Sequence, residues 1–180
     1  MSNPNEPRTF LSLRENWQAE ANERGTKSEY IFHDVMQKIF DAMESRHYKI
    51  KEKPKDLKQI YDGRRGIVPD FAIRNELTGR SVYVEIKRQR PHGNAHERAC
   101  KYFAPGIIVA RRKHGKIDTD TLPFFWIFTN GLASDERYRS EIEFWFSTSQ
   151  AKKHFLLWDL DRVKLLDFFL ENIRPVIDQY

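Results

Sequence analysis

The sequence holds a single cysteine, Cys100, so no disulfide can form within the chain. Stability must come from packing, and the reducing cytoplasm is the compartment that suits such a protein. No apolar run approaches the roughly 18 residues that a membrane-crossing helix needs. The opening MSNPNEPRTF also lacks the basic-then-apolar layout of a secretory signal. The expected location is cytoplasmic, with no membrane partner. Glycine is sparse, 8 residues of 180, and forms no Gly/Ser linker. There is no internal repeat and no low-complexity tract, which sets solenoids and disordered segments aside.

A length of 180 residues fits one domain with a sizeable core. Polar, proline-bearing residues 1–12 read as a flexible arm, and residues 13–180 as a single domain. Apolar content of 39% beside charged content of 32% marks a soluble globular chain. The formal charge is +5, and a basic excess favours polyanionic partners through phosphate neutralisation. The clustering is more telling than the total: Lys87, Arg88, Arg90, Arg98, Lys101, Arg111, Arg112, Lys113 and Lys116 crowd one stretch.

Helix formers dominate residues 13–24. Over residues 28–43, Ile31, Val35, Ile39 and Met43 recur every four positions beside Phe32, Met36 and Phe40, which predicts a well-buried amphipathic helix that Ser28 can cap. A mixed segment follows at 48–52, and Pro54 opens a short helical stretch at 55–61. Asp62-Gly63-Arg64-Arg65-Gly66 is a turn. Residues 67–74 (IVPDFAIR) and 81–88 (SVYVEIKR) read as strands around a turn at 76–79, an antiparallel hairpin. Residues 94–103 and 105–113 read as helices, 122–129 (LPFFWIFT) as a central strand. A helix capped by Ser134 or Asp135 runs towards Phe146, then a strand at 154–158 and a closing helix at 159–173. Helices alternating with a few strands predict an α/β (α+β) domain on a mixed sheet flanked by helices.

The hairpin concentrates the chemistry. Glu85 and Lys87 lie two apart on one strand and so share a face. Asp70 lies on the neighbouring strand, where it can stand beside Glu85. Both acids interrupt apolar strand sequence, and an uncompensated buried charge is costly. Two carboxylates suit a hard cation such as Mg²⁺, which takes oxygen ligands and keeps several waters. Asp70, Glu85 and the backbone carbonyl of Ile86 are the expected metal ligands. Lys87 orients a water or holds charge near a developing phosphorane. The combination is that of phosphodiester hydrolysis.

This arrangement resembles the PD-(D/E)xK nuclease signature, and Glu29 on the first long helix resembles the auxiliary acid that some such nucleases carry. Directly after the lysine comes Gly93-Asn94-Ala95-His96-Glu97-Arg98, which resembles the GNA-x-ER segment of the EcoRI/MunI-like type II restriction endonucleases. Asn16-Trp17-Gln18-Ala19, Glu52-Lys53-Pro54-Lys55, Pro69-Asp70-Phe71-Ala72-Ile73, Pro105-Gly106 and Leu122-Pro123-Phe124 are also similar to segments of that family, in the same order and nearer to its MunI branch.

The resemblance implies a restriction-endonuclease-like core and a homodimer on double-stranded DNA. It implies cleavage of a short palindrome containing AATT, 5′ of that sequence, leaving four-base 5′ overhangs, with one or two Mg²⁺ per site that Mn²⁺ replaces. Asn94 and Arg98 would then contact adenines, Ala95 would pack on bases and Glu97 would orient the pair. The bidentate match of asparagine to adenine is compatible with this. Arg88, Arg90 and His92 are possible flanking contacts. The family places an arginine where His92 stands, so AATT alone is expected over CAATTG. Tyr102, Phe103, Ile107 and Ile108 are candidate dimer contacts. A prokaryotic host would need a cognate adenine methyltransferase, though not as a physical partner. Two other readings of the same residues are a repair or structure-selective nuclease without sequence preference, and a non-catalytic DNA-binding module of this fold.

Overall fold

The computed structural model describes residues 27–43, 46–55, 68–89, 94–100, 124–146 and 153–179. Its centre is a five-stranded sheet whose spatial order follows the chain: β1 (Tyr48–Glu52), β2 (Phe71–Asn75), β3 (Ser81–Gln89), β4 (Phe124–Asn130) and β5 (Phe155–Trp158). β1 to β3 pair antiparallel, and β3 to β5 pair parallel. The β2–β3 hairpin closes through a turn in which Gly79 adopts φ 71, a conformation that costs glycine least. Parallel neighbours need crossovers, and these carry helices.

Strand alternation divides the apolar residues between two faces. Phe71 and Ile73, Val82, Val84 and Ile86, and Phe125 and Ile127 join one core with Phe32, Val35, Met36 and Phe40 of α1 (Lys27–Ala42). The C-terminal segments complete that layer through Leu165, Phe169 and Ile173. Ala72, Tyr83, Phe124, Trp126 and Phe128 face the other way. There they meet Ala99 of α2 (Ala95–Ala99), Leu132 of α3 (Gly131–Ser134), and Ile142 and Phe146 of α4 (Glu136–Phe146). Each large side chain so buried contributes about 1.5–3 kcal/mol. The result is the expected mixed sheet between helical layers. Among the described residues no helix is long and apolar enough to cross a membrane.

Several elements differ from expectation. The mixed segment at 48–52 is a true edge strand, in which Tyr48 and Ile50 turn to the core between exposed lysines. The PD strand begins only at Phe71, because Pro69 has no N–H for a ladder. The helix towards Phe146 is present with Asp135 as its cap, accepting from the Arg137 amide at 3.1 Å, but a short helix not expected from the sequence, α3, precedes it. The closing helix starts later than expected, at α5 (Arg162–Phe168), where the Asp161 carboxylate accepts from the Val163 and Lys164 amides. It then widens into a π-turn at Phe169–Ile173 before α6 (Arg174–Ile177). Pro175 lacks the N–H that a regular α-helix would use at that point, and a widened turn accommodates the gap. Pro54 and Lys55 adopt no regular structure. The expected elements at 13–24, 56–66 and 105–113 lie outside the described residues.

The C-terminus is tied to the hairpin by a polar knot. The Tyr48 hydroxyl donates to Asp178 at 2.8 Å, the Asn75 amide donates to the same carboxylate at 2.8 Å, and Arg174 Nε donates to it at 3.0 Å. Burial, then the Asp178 hydrogen bond and charge, push the Tyr48 phenol up from its usual range, against a smaller opposing effect of Arg174. A raised folded-state value stabilises the fold below the unfolded tyrosine value, and the gain is lost as pH climbs through the folded one. Tyr48→Phe is expected to cost about 1 kcal/mol near neutral pH. In urea melts the gap from wild type should narrow above about pH 10.

Candidate active site

The sheet register builds the site. Glu52 is opposite Phe71, and Phe71 is opposite Val84. Continuing both pairings by one residue sets Lys53 opposite Asp70 and Asp70 opposite Glu85. Glu85 in turn pairs with Trp126, and Lys87 with Phe128. Asp70 and Glu85 therefore stand in one row across the sheet, and Lys87 is one step along the same face. Ile86 turns to the opposite core. Trp126 and Phe128 of β4 lie beside Glu85 and Lys87 on that face, and both are buried.

Both carboxylates are nearly covered, Asp70 at 8% exposure and Glu85 at 4%. Such burial is tolerable only with close partners. Asp70 Oδ2 accepts from the Ile86 amide at 2.7 Å. Asp70 Oδ1 accepts from the Lys53 ammonium. Glu85 Oε1 accepts from Lys87 Nζ at 2.5 Å. Lys53 also pairs with Glu29 at 3.2 Å, which brings this acid of α1 to the site through a bridging lysine. Partial burial opposes the Lys53 charge, but the hydrogen bond and charge of Asp70, with Glu29, outweigh it and hold the ammonium above its ordinary range.

Among the described residues no group of three or more His, Cys, Asp or Glu side chains is poised around a metal ion. A cation here would take Asp70 and Glu85, with the rest of its shell from backbone carbonyl and water. That sparse, hard-oxygen set fits Mg²⁺ rather than a structural zinc, which demands four nitrogen or sulfur ligands. Burial first, and then the Glu97 charge, push the Cys100 thiol up, away from the reactive thiolate.

α2 follows β3 closely in the chain. Asn94 occupies its N-cap position but makes no side-chain capping bond, and it is exposed. Glu97 and Arg98 are exposed on the same flank, three and four residues on, while Ala95 is half-buried. His96 differs from these neighbours. Its side chain is only 1% exposed, bonds Glu141 of α4 through Nε2 at 2.7 Å, and stacks on Trp145 with ring centroids 5.5 Å apart. In this conformation His96 faces the protein, not a groove. Arg88 is exposed at the end of β3. Gly93, Arg90, His92, Tyr102, Phe103, Ile107 and Ile108 lie outside the described residues.

Sequence reasoning missed Lys53 and Glu141. Lys53 was detectable in principle, since Tyr48 and Ile50 alternate with Lys49 and Lys51 in a strand rhythm that continues to Lys53. Nothing local marks Glu141, whose partner is 45 residues away.

Comparison with known proteins points to one family. A family model described as "Type II restriction enzyme MunI" matches residues 8–65 and 62–178. The type II restriction enzyme MunI of a Mycoplasma species is 32% identical over 202 residues, covering 93% of this chain and 98% of that protein. The crystal structure of MunI restriction endonuclease in complex with cognate DNA matches with a TM-score of 0.65 and 28% identity, over 96% of this chain and 100% of that one. With family match, curated relative and fold in accord over nearly its whole length, the chain belongs to the MunI family of type II restriction enzymes.

Proposed function

We propose that this site-specific deoxyribonuclease works as a homodimer that hydrolyses both strands of duplex DNA at AATT, cutting 5′ of the first A and leaving four-base 5′ overhangs. The observation that carries the reading is the row of Asp70 and Glu85, with Lys87 beside it and the uncapped Asn94 just downstream on the chain. A palindrome offers two equivalent half-sites, which a two-fold dimer matches with one active site per strand.

Asp70, Glu85 and the Ile86 carbonyl are the groups that would hold Mg²⁺, or Mn²⁺ in its place. When bound, the cation polarises the phosphoryl oxygen and acidifies a water. The chain's own residues do the rest. The Ile86 amide fixes the rotamer of Asp70 by holding Oδ2, leaving Oδ1 turned outward. Lys87, anchored by Glu85, carries a positive charge to the place where a phosphate gains negative charge during attack. Trp126 and Phe128 keep the floor of the site dry, which strengthens these interactions.

Asn94 can offer its amide to adenine because the helix cap does not consume it. Arg98 and Glu97 lie on the same flank, and Gly93 with Ala95 permits a close backbone approach. Arg88, Arg90 and His92 are placed in sequence to meet flanking phosphates or bases. His92 stands where the family carries an arginine, which favours the four-base target. His96 serves as a strut for this segment. A five-residue helix has almost no stability alone, so α2 depends on its bond to Glu141 and its stack on Trp145. The enzyme would act in the cytoplasm of a prokaryotic host whose own sites an adenine methyltransferase protects.

Digestion of a sequenced plasmid with Mg²⁺, followed by end mapping, should give ends that all begin AATT with varied flanking bases. Uniform flanking bases would defeat the tetranucleotide target, and scattered ends would defeat sequence specificity altogether. Asp70→Ala should still bind an AATT duplex in gel-shift assays yet cut it at least about 10²–10³-fold more slowly. Normal cutting would remove Asp70 from the site. Glu141→Ala should lower stability by about 1 kcal/mol and reduce discrimination between AATT and single-substitution sites by roughly tenfold, with non-specific binding little changed. Equal loss on both classes of DNA would show that the strut acts on general affinity alone.

A further inference from the structure

The family motif does not account for Lys53, yet the sheet delivers it to the centre of the site. Its backbone amide donates to the Asp70 carbonyl at 2.8 Å, continuing the β1–β2 ladder past Glu52. It does so at φ 42, a left-handed conformation that a side-chain-bearing residue adopts only at a cost. Pro54, which follows, is buried and holds the chain as it leaves the strand. The strained backbone and the buried proline both fix where the Lys53 side chain starts. From there its ammonium reaches Asp70 Oδ1 and, at 3.2 Å, Glu29 Oε2. With Oδ2 already held by the Ile86 amide, Oδ1 is the oxygen through which Asp70 would hold a divalent cation.

We propose that Lys53 is the resident counter-cation of the catalytic carboxylates, a positioning residue whose ammonium holds Asp70 Oδ1 and Glu29 until a divalent cation displaces it. This rests on the metal site proposed above. The exchange swaps one positive charge for two at the oxygen. Lys53 is half-exposed and can swing outward, remaining paired with Glu29 alone. Glu29 then acts as the berth for the displaced lysine rather than as a ligand. Without Lys53, Asp70 and Glu29 would lose the ammonium they share, and Asp70 and Glu85 would stand side by side with one ammonium fewer, so the site would draw a divalent cation more strongly.

The test is direct Mn²⁺ binding to the full chain without DNA, read by electron paramagnetic resonance, for wild type, Lys53→Met and Lys53→Arg. The methionine variant removes the charge and keeps the side chain's bulk. It should bind Mn²⁺ about three- to tenfold more tightly, the scale on which two partly exposed ion pairs act. The arginine variant should stay near wild type. Melting curves supply a second readout: in EDTA the methionine variant should melt lower than wild type, and Mn²⁺ should raise its melting temperature by more. Equal or weaker Mn²⁺ binding by Lys53→Met overturns the inference. An Asp70→Asn control separates the levels. If binding is lost there but unmoved by Lys53→Met, only the role of Lys53 falls. If binding survives Asp70→Asn unchanged, the carboxylate site falls and this inference falls with it.

Discussion

Two carboxylates buried side by side repel each other, and the site depends on how that repulsion is offset. Asp70 and Glu85 are adjacent because strand register makes them so, and neither has enough water around it to disperse its charge. The neighbourhood answers with one backbone amide and two ammonium groups. The partners come from two parts of the chain: the end of the edge strand supplies Lys53, and the central strand supplies Lys87 and the amide of Ile86. Removing any one leaves a buried charge short of a partner, which is a larger penalty than the pair itself is worth. On the proposed reading, the same imbalance suits the site to a hard cation.

The rest of the fold keeps that row in register. Alternation on β3 sends Val82, Val84 and Ile86 into one core and leaves Tyr83, Glu85 and Lys87 on the other face. A one-residue slip would put the acid among the side chains of α1 and the isoleucine in the site. Register is held from both ends. The Asp178 knot clamps Tyr48 and Asn75 at the far end of the antiparallel pairs, while the Asp70–Ile86 bond holds the near end. Thr78 Oγ1 adds a bond to the Ile177 carbonyl at 2.6 Å, so the hairpin turn is fastened to α6 as well.

How much of this the sequence disclosed follows from range. The hairpin, α1 and the central strand were readable because their patterns are local: four-residue spacing in 28–43, alternation in 81–88, an aromatic run in 122–129. Asp70, Glu85 and Lys87 were readable as a set because two strands and a tight turn nearly determine their register. β1 escaped because five residues with two lysines and a glutamate barely show a strand, although the strand places Lys53. The widened turn before Pro175 escaped because proline signals that a helix is disturbed, but not by which route the chain recovers. His96 was placed among the DNA contacts by its position within GNAHER. Its burial is decided by α4, which comes into contact only after the chain has built β4.

β3 ends at Gln89, and the flank of α2 that carries Asn94, Glu97 and Arg98 begins five residues later. Asn94 lies seven positions after Lys87 in the chain, and so short a tether spans at most about 25 Å even fully drawn out. The strand at one end is clamped in a sheet, and the helix at the other is pinned to α4. On the proposed reading, these two ends are the part that meets the phosphate and the part that meets the groove. Docking one base pair out of place would then carry the lysine along the backbone with the helix. On that reading, misreading and miscutting would be a single mechanical error, and the number of residues between strand and helix would help to set where the strand breaks.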